Sequence, residues 1–115
     1  MAKPELEFHS PTAEWTRANE VSTTPGISDQ VLSHDPVTGD KTALQRYDAG
    51  AETPPGVITH EFWEEVLLLD GDLYDVGLDR TFTAGMYACR PPGMPHGPYR
   101  SVGGCSMLVV TRYPA

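Results

Sequence analysis

Apolar residues are spread along the chain in short runs, and clusters of Gly, Pro and Asp break them apart. Purely apolar stretches such as Val66-Leu67-Leu68-Leu69 do not exceed four residues. This rhythm predicts β-strands at Ile27 to Leu32, Thr42 to Tyr47, Val57 to His60, Trp63 to Leu69, Leu73 to Val76, Thr81 to Thr83, Met86 to Arg90, Gly97 to Ser101 and Ser106 to Arg112. His34 to Asp40 reads as a turn cluster, and Pro54-Pro55-Gly56 punctuates the connection after the second strand. Asp70-Gly71-Asp72 reads as a turn or bulge, and Gly103-Gly104 as a hairpin turn. The one helical alternative, Glu61 to Leu69, is short and runs straight into Gly71. Strands recurring at this spacing with glycine corners predict an all-β sandwich or small barrel.

Residues 1–25 are polar and irregular, with apolar anchors only at Leu6, Phe8 and Trp15. Such a segment cannot fold alone, so it is expected as an arm or edge strand beside a single barrel domain over residues 26–115. Composition narrows the picture further. Gly and Pro contribute 11 residues each to a chain of 115, which disfavours long helices. A formal charge of −8 with no basic run argues against nucleic acid or anionic lipid as a partner. No stretch approaches the roughly 18 apolar residues of a membrane span, and the N-terminus lacks the apolar core of a secretory signal. Cys89 and Cys105 are too few for a disulfide framework and lack metal-type spacing. The expectation is a cytoplasmic domain.

Four histidines carry the candidate chemistry. His9 lies near a loose terminus and His34 precedes Asp35-Pro36 in a turn, both solvent roles. His60 and His96 sit beside predicted strands, near corners where a barrel mouth would form. Around them, the run from Gly85 to His96 fits the spacing G-x5-P-x-G-x2-H through Gly85, Pro91, Gly93 and His96. The run from His60 to Gly71 fits H-x3-E-x6-G through His60, Glu64 and Gly71.

In these two motifs the chain resembles the cupin superfamily (RmlC-like), and in Trp63 to Gly71 and Arg90 to His96 it looks most like the cupin domain of ChrR-type anti-sigma factors. The resemblance covers about residues 50 to 112 and implies a small double-stranded β-helix, or jelly-roll, barrel. The departures are Arg100 where the second motif has Asn, Ile58 where the first has its first His, and Glu52 where it has its first Gly.

By the resemblance, His60, Glu64 and His96 hold a metal, with Glu65 as the alternative carboxylate if a bulge shifts the register. Two imidazoles and a carboxylate suit a divalent transition metal, Fe(II) first and Zn or Ni second, and three ligands leave coordination positions open. Phe62, Met86, Tyr87, Tyr99 and Met107 are candidates to line a substrate pocket, where Trp63 also offers aromatic surface. Glu64 and Arg100 are the catalytic candidates, Arg100 as a partner for a substrate carboxylate or enolate if it faces inward. The leading expectation is a metal-dependent enzyme acting on a small organic substrate, of the dioxygenase type that oxidises β-diketones or aromatic ketones, with isomerase or cyclase chemistry second. The alternatives are a zinc-bearing ligand-binding or sensing module and a metal-free barrel that binds a small molecule. The resemblance also implies a homodimer.

Overall fold

The computed structural model describes residues 3–17 and 25–115; part of the expected N-terminal arm, residues 18–24 with 1–2, lies outside them. The described residues form eight strands and no helix: β1 (Thr16–Arg17), β2 (Ile27–His34), β3 (Lys41–Tyr47), β4 (Trp63–Asp75), β5 (Arg80–Thr83), β6 (Tyr87–Arg90), β7 (Tyr99–Arg100) and β8 (Cys105–Arg112). All pairings are antiparallel. The first sheet runs β1-β2-β3-β8-β4-β6, and the second is made of the far end of β4 flanked by β5 and β7. β4 therefore belongs to both sheets, as one long strand that bends from one layer into the other. This is a small all-β barrel, as the resemblance implies.

The bend has a local cause. Leu68 pairs with Met107 and Asp70 with Ser106, so one residue of β4 is extra and the strand bulges. Before the bulge the inward residues are Val66 and Leu68; after it they are Leu73 and Asp75, so the inward phase passes from even to odd numbers. Asp70 fastens the bulge, taking the Ser106 N–H at 2.9 Å and its hydroxyl at 2.7 Å. Gly71 follows at φ +77°, and a Cβ there would lie 2.0 Å from the Gly104 carbonyl oxygen, so only glycine fits.

Inward alternation from both layers makes the core. Cys105, Met107, Val109 and Thr111 face in from β8, and they meet Ile27, Tyr47, Val66, Leu68, Leu73 and Tyr99. Burying a large apolar side chain of this kind stabilises by about 1.5–3 kcal/mol.

Three expectations are corrected. Val57 to His60 is not a strand; Ile58 makes only an isolated bridge to His96. Gly103-Gly104 does not close a hairpin, because β7 pairs with β4 while β8 pairs with β3 and β4. The Asp72 carboxylate holds that corner instead, accepting the Val102 and Gly103 N–H groups at 3.0 and 2.9 Å. Of the apolar residues in the N-terminal segment, Leu6 and Phe8 stand in solvent, whereas Trp15 lies under the Arg46 guanidinium at 4.2 Å.

Candidate metal centre

The long connection between β3 and β4 brings the two motifs together. Ile58 and His96 exchange backbone hydrogen bonds at 2.8 and 3.0 Å, and the Gly93 N–H donates to the His60 carbonyl at 2.8 Å. Thr53 adds a second stitch, since the Tyr99 N–H donates to its hydroxyl at 2.9 Å. These contacts bring His60 beside His96, with ring centroids 4.9 Å apart. Phe62 stacks on His60 from behind at 4.5 Å and fixes its plane.

Glu64 enters from β4. It shares the inward phase of Val66 and Leu68, and the bulge comes too late to disturb it. Its Oε2 lies 3.7 Å from His60 Nε2, with both side chains about nine-tenths buried. Glu65 takes the opposite face and accepts the Tyr87 hydroxyl. One ligand atom from each of His60, Glu64 and His96 lies within 4.8 Å of the others.

Two features show that this donor set fits a metal ion. His96 Nε2 is a buried ring nitrogen with no hydrogen-bond partner among the described residues, which in a folded interior calls for a ligand. Its other nitrogen, Nδ1, is already engaged by the Tyr99 hydroxyl at 2.8 Å, the arrangement that orients a ligating imidazole. Burial holds the His96 pKa down to about 3, with help from the positive Arg90 and from His60. The imidazole is therefore neutral and able to donate a lone pair at ordinary pH. Burial pushes the Tyr99 hydroxyl above its usual range.

Sequence reading missed Arg90. It stands on β6 directly across from Glu64, and its Nη1 donates to Glu64 Oε1 at 2.6 Å. Its Nη2 donates to the Tyr99 hydroxyl at 2.7 Å. The available signal was the alternation of β6, which puts Arg90 in phase with the half-buried Ala88.

Two cavities meet at this centre. One of about 50 Å³ is bordered by His60, Glu64 and His96 with Gln45, Thr53 and Met107. The other, of about 380 Å³, is lined chiefly by apolar side chains, Met86, Tyr87, Leu78 and Phe82 among them. His96, Arg90, Tyr99, Val66 and Leu73 border both.

The pocket candidates thus separate. Met86, Tyr87 and Tyr99 line the larger cavity; Met107 borders only the smaller; Phe62 borders neither and supports His60. Arg100 is exposed on β7 with its guanidinium 4.9 Å above the Tyr74 ring, away from the centre. It is not placed to meet a substrate there.

Solved structures share this fold. An RmlC-like cupin from Shewanella frigidimarina matches with a TM-score of 0.74 at 19% identity, over 99% of this chain and 96% of that one. A polyketide cyclase, RemF, from Streptomyces resistomycificus matches at 0.73 and 18%, over 96% and 81%. An acetylacetone dioxygenase from Acinetobacter johnsonii matches at 0.71 and 20%, over 97% and 78%. At these identities the likeness is one of fold. No curated protein matches the chain in sequence. The family model for the ChrR cupin-like domain matches residues 5–114, nearly the whole chain. With both motifs joined in one small barrel, the chain belongs to the ChrR cupin-like family of the cupin superfamily.

Proposed function

We propose that this protein is a metal-dependent enzyme that oxidises a small carbonyl compound, a β-diketone or an aromatic ketone, at a mononuclear centre held by His60, Glu64 and His96. The observation that carries the reading is the unpartnered His96 Nε2 facing a carboxylate and a second imidazole, next to a largely apolar cavity of about 380 Å³. Bound there, the metal would supply Lewis acidity toward a substrate oxygen and, as Fe(II), the means to use O2.

The chain supplies the rest. Met86, Tyr87 and Phe82 take the apolar body of the substrate and keep water from it. A substrate that arrives as its enolate, its proton already lost to water, needs no protein base, and Arg90 and Tyr99, on the wall between the cavities, set hydrogen-bonding groups beside its oxygens. In the overall reaction one carbon–carbon bond breaks and each product receives one atom of O2. The substrate supplies the electrons, and no outside reductant enters. The fold shared with an acetylacetone dioxygenase supports this choice of substrate class.

The test is metal analysis of protein purified without a polyhistidine tag, followed by oxygen uptake with acetylacetone and with a hydroxylated aromatic ketone. About one iron per chain with uptake on either substrate is expected. Iron with no uptake on any such ketone would sink the oxygenase reading.

The family match favours a second reading, a zinc-bearing sensing module. One zinc per chain, no oxygen uptake and recovery of a transcription factor by pull-down would establish it.

The same proposal takes the chain as a homodimer in the cytoplasm. The fully exposed Phe8 on the N-terminal segment supports pairing, as does a row of Leu44, Leu108, Leu67 and Tyr87 across the outer sheet face. Light scattering that gives a mass near 12.6 kDa would remove the dimer.

A further inference from the structure

We infer that Arg90 is a positioning residue that locks Glu64, Tyr99 and His96 into one array and does for this centre what a fourth ligand would otherwise do. The inference rests on the metal reading above. With Ile58 where a further imidazole is usual in the superfamily, the described residues bring together two imidazoles and a carboxylate, and a tripod of three leaves each donor freer to turn.

The side chains close that freedom through a ring of contacts. His60 faces Glu64 Oε2 at 3.7 Å, and Arg90 holds Glu64 Oε1 at 2.6 Å. Arg90 reaches on to the Tyr99 hydroxyl at 2.7 Å, Tyr99 meets His96 Nδ1 at 2.8 Å, and His96 returns to His60 across 4.9 Å.

The planar guanidinium joins the two halves of the ring by hydrogen bonds, where His60 and His96 meet only as neighbouring rings. Its two nitrogens take a carboxylate and a phenol in directions that one ammonium could not serve together. With Oε1 held by Arg90, Glu64 turns Oε2 toward His60, and it is this oxygen that Glu64 would offer to a metal. The positive charge also lies beside the centre, so an anionic oxygen is the favoured guest at the open positions. Lys41, which pairs with Asp29, and Arg100, which lies over Tyr74, do not border either cavity.

The experiment is titration of the metal-free 115-residue chain with Co(II) alone, following the visible spectrum and the affinity, for wild type, Arg90→Ala, Arg90→Lys and Tyr99→Phe. Partners of this kind change metal affinity by about 10–100-fold. Arg90→Ala is expected to weaken Co(II) binding by that factor and to alter the spectrum, as Glu64 becomes free to bind through both oxygens. Arg90→Lys keeps a charge for Glu64 but loses the bridge, and should recover only part of the affinity. Tyr99→Phe should weaken binding while leaving the Arg90–Glu64 pair intact.

The unfolding midpoint of each variant is measured beside it. Arg90→Lys and Tyr99→Phe keep the test valid if Arg90→Ala does not fold. A wild-type spectrum and affinity in folded Arg90 variants would overturn the inference and leave the metal reading standing. Wild-type protein that takes up no Co(II) would overturn both.

Discussion

The two cavities share a wall and little else. The smaller is bordered by imidazoles, a carboxylate, an amide and a hydroxyl, in a volume of about 50 Å³ that has room for an ion or a water. The larger holds about 380 Å³ behind a mostly hydrocarbon lining, in the size range of small-molecule sites. Gathering the metal donors in one chamber and most of the apolar surface in the other, with Arg90 and His96 on the shared wall and Asp75 the carboxylate on the larger side, separates two tasks that interfere when mixed. Buried charges need fixed partners, whereas an organic guest is held best where nothing else needs solvating. Substitutions should therefore divide by the side of the wall on which the residue stands.

The largest effect is expected from Glu64→Ala, which removes a donor and leaves the Arg90 guanidinium buried without its carboxylate. Breaking such a pair costs about 3–5 kcal/mol, to be read from urea unfolding of the metal-free protein. Next comes His96→Ala on the wall itself. Metal affinity should fall by more than about 100-fold, beyond the loss of an outer partner, while the fold persists. Metal content unchanged in His96→Ala would break the division at its centre.

Ala88→Leu adds bulk on the apolar side alone. The added carbons take space from the cavity that would receive the substrate, so acetylacetone binding, followed by calorimetry, should weaken with Co(II) affinity unchanged.

A gentler effect should appear with acid. Native His96 takes up its proton only near pH 3, against about 6.5 in the unfolded chain. Between these values the unfolded state binds more protons, so this contribution is complete above about pH 6.5 and is lost as the pH falls. The melting temperature of metal-free protein should drop from pH 7 to pH 4, and less steeply in His96→Gln. The smallest effect belongs to Arg100→Gln, outside both chambers, which should shift stability by no more than about 0.5 kcal/mol and leave metal binding alone.

Much of the charged chamber was legible in the sequence, and its wall was not. The spacing of Gly85, Pro91, Gly93 and His96 marks one imidazole, and that of His60, Glu64 and Gly71 marks the other imidazole and the carboxylate. Each is a local pattern within a dozen residues. Arg90 stayed hidden because its partner Glu64 is 26 residues away and the two meet only through the pairing of β4 with β6. An arginine in a strand reads as a solvated charge until its neighbour strand is known. Arg100 misled for the converse reason: β7 has two residues, too few to reveal which face is inner. Phe62 was expected to line a substrate pocket, and the geometry shows instead that it stacks on the imidazole of His60.

The extra residue in β4 also sets the terms on which this barrel can be re-engineered. A library that varies alternate positions of β4 to reshape the interior would sample Val66 and Leu68 and then, kept in the same step, leave Leu73 and Asp75 untouched. The reading frame of the strand slips by one between its halves. Deleting Leu69 would restore a uniform frame with Leu73 and Asp75 still facing inward, but would remove the bulge that carries the strand from one layer to the other, and a designer must count through that slip to alter one chamber without rebuilding the other.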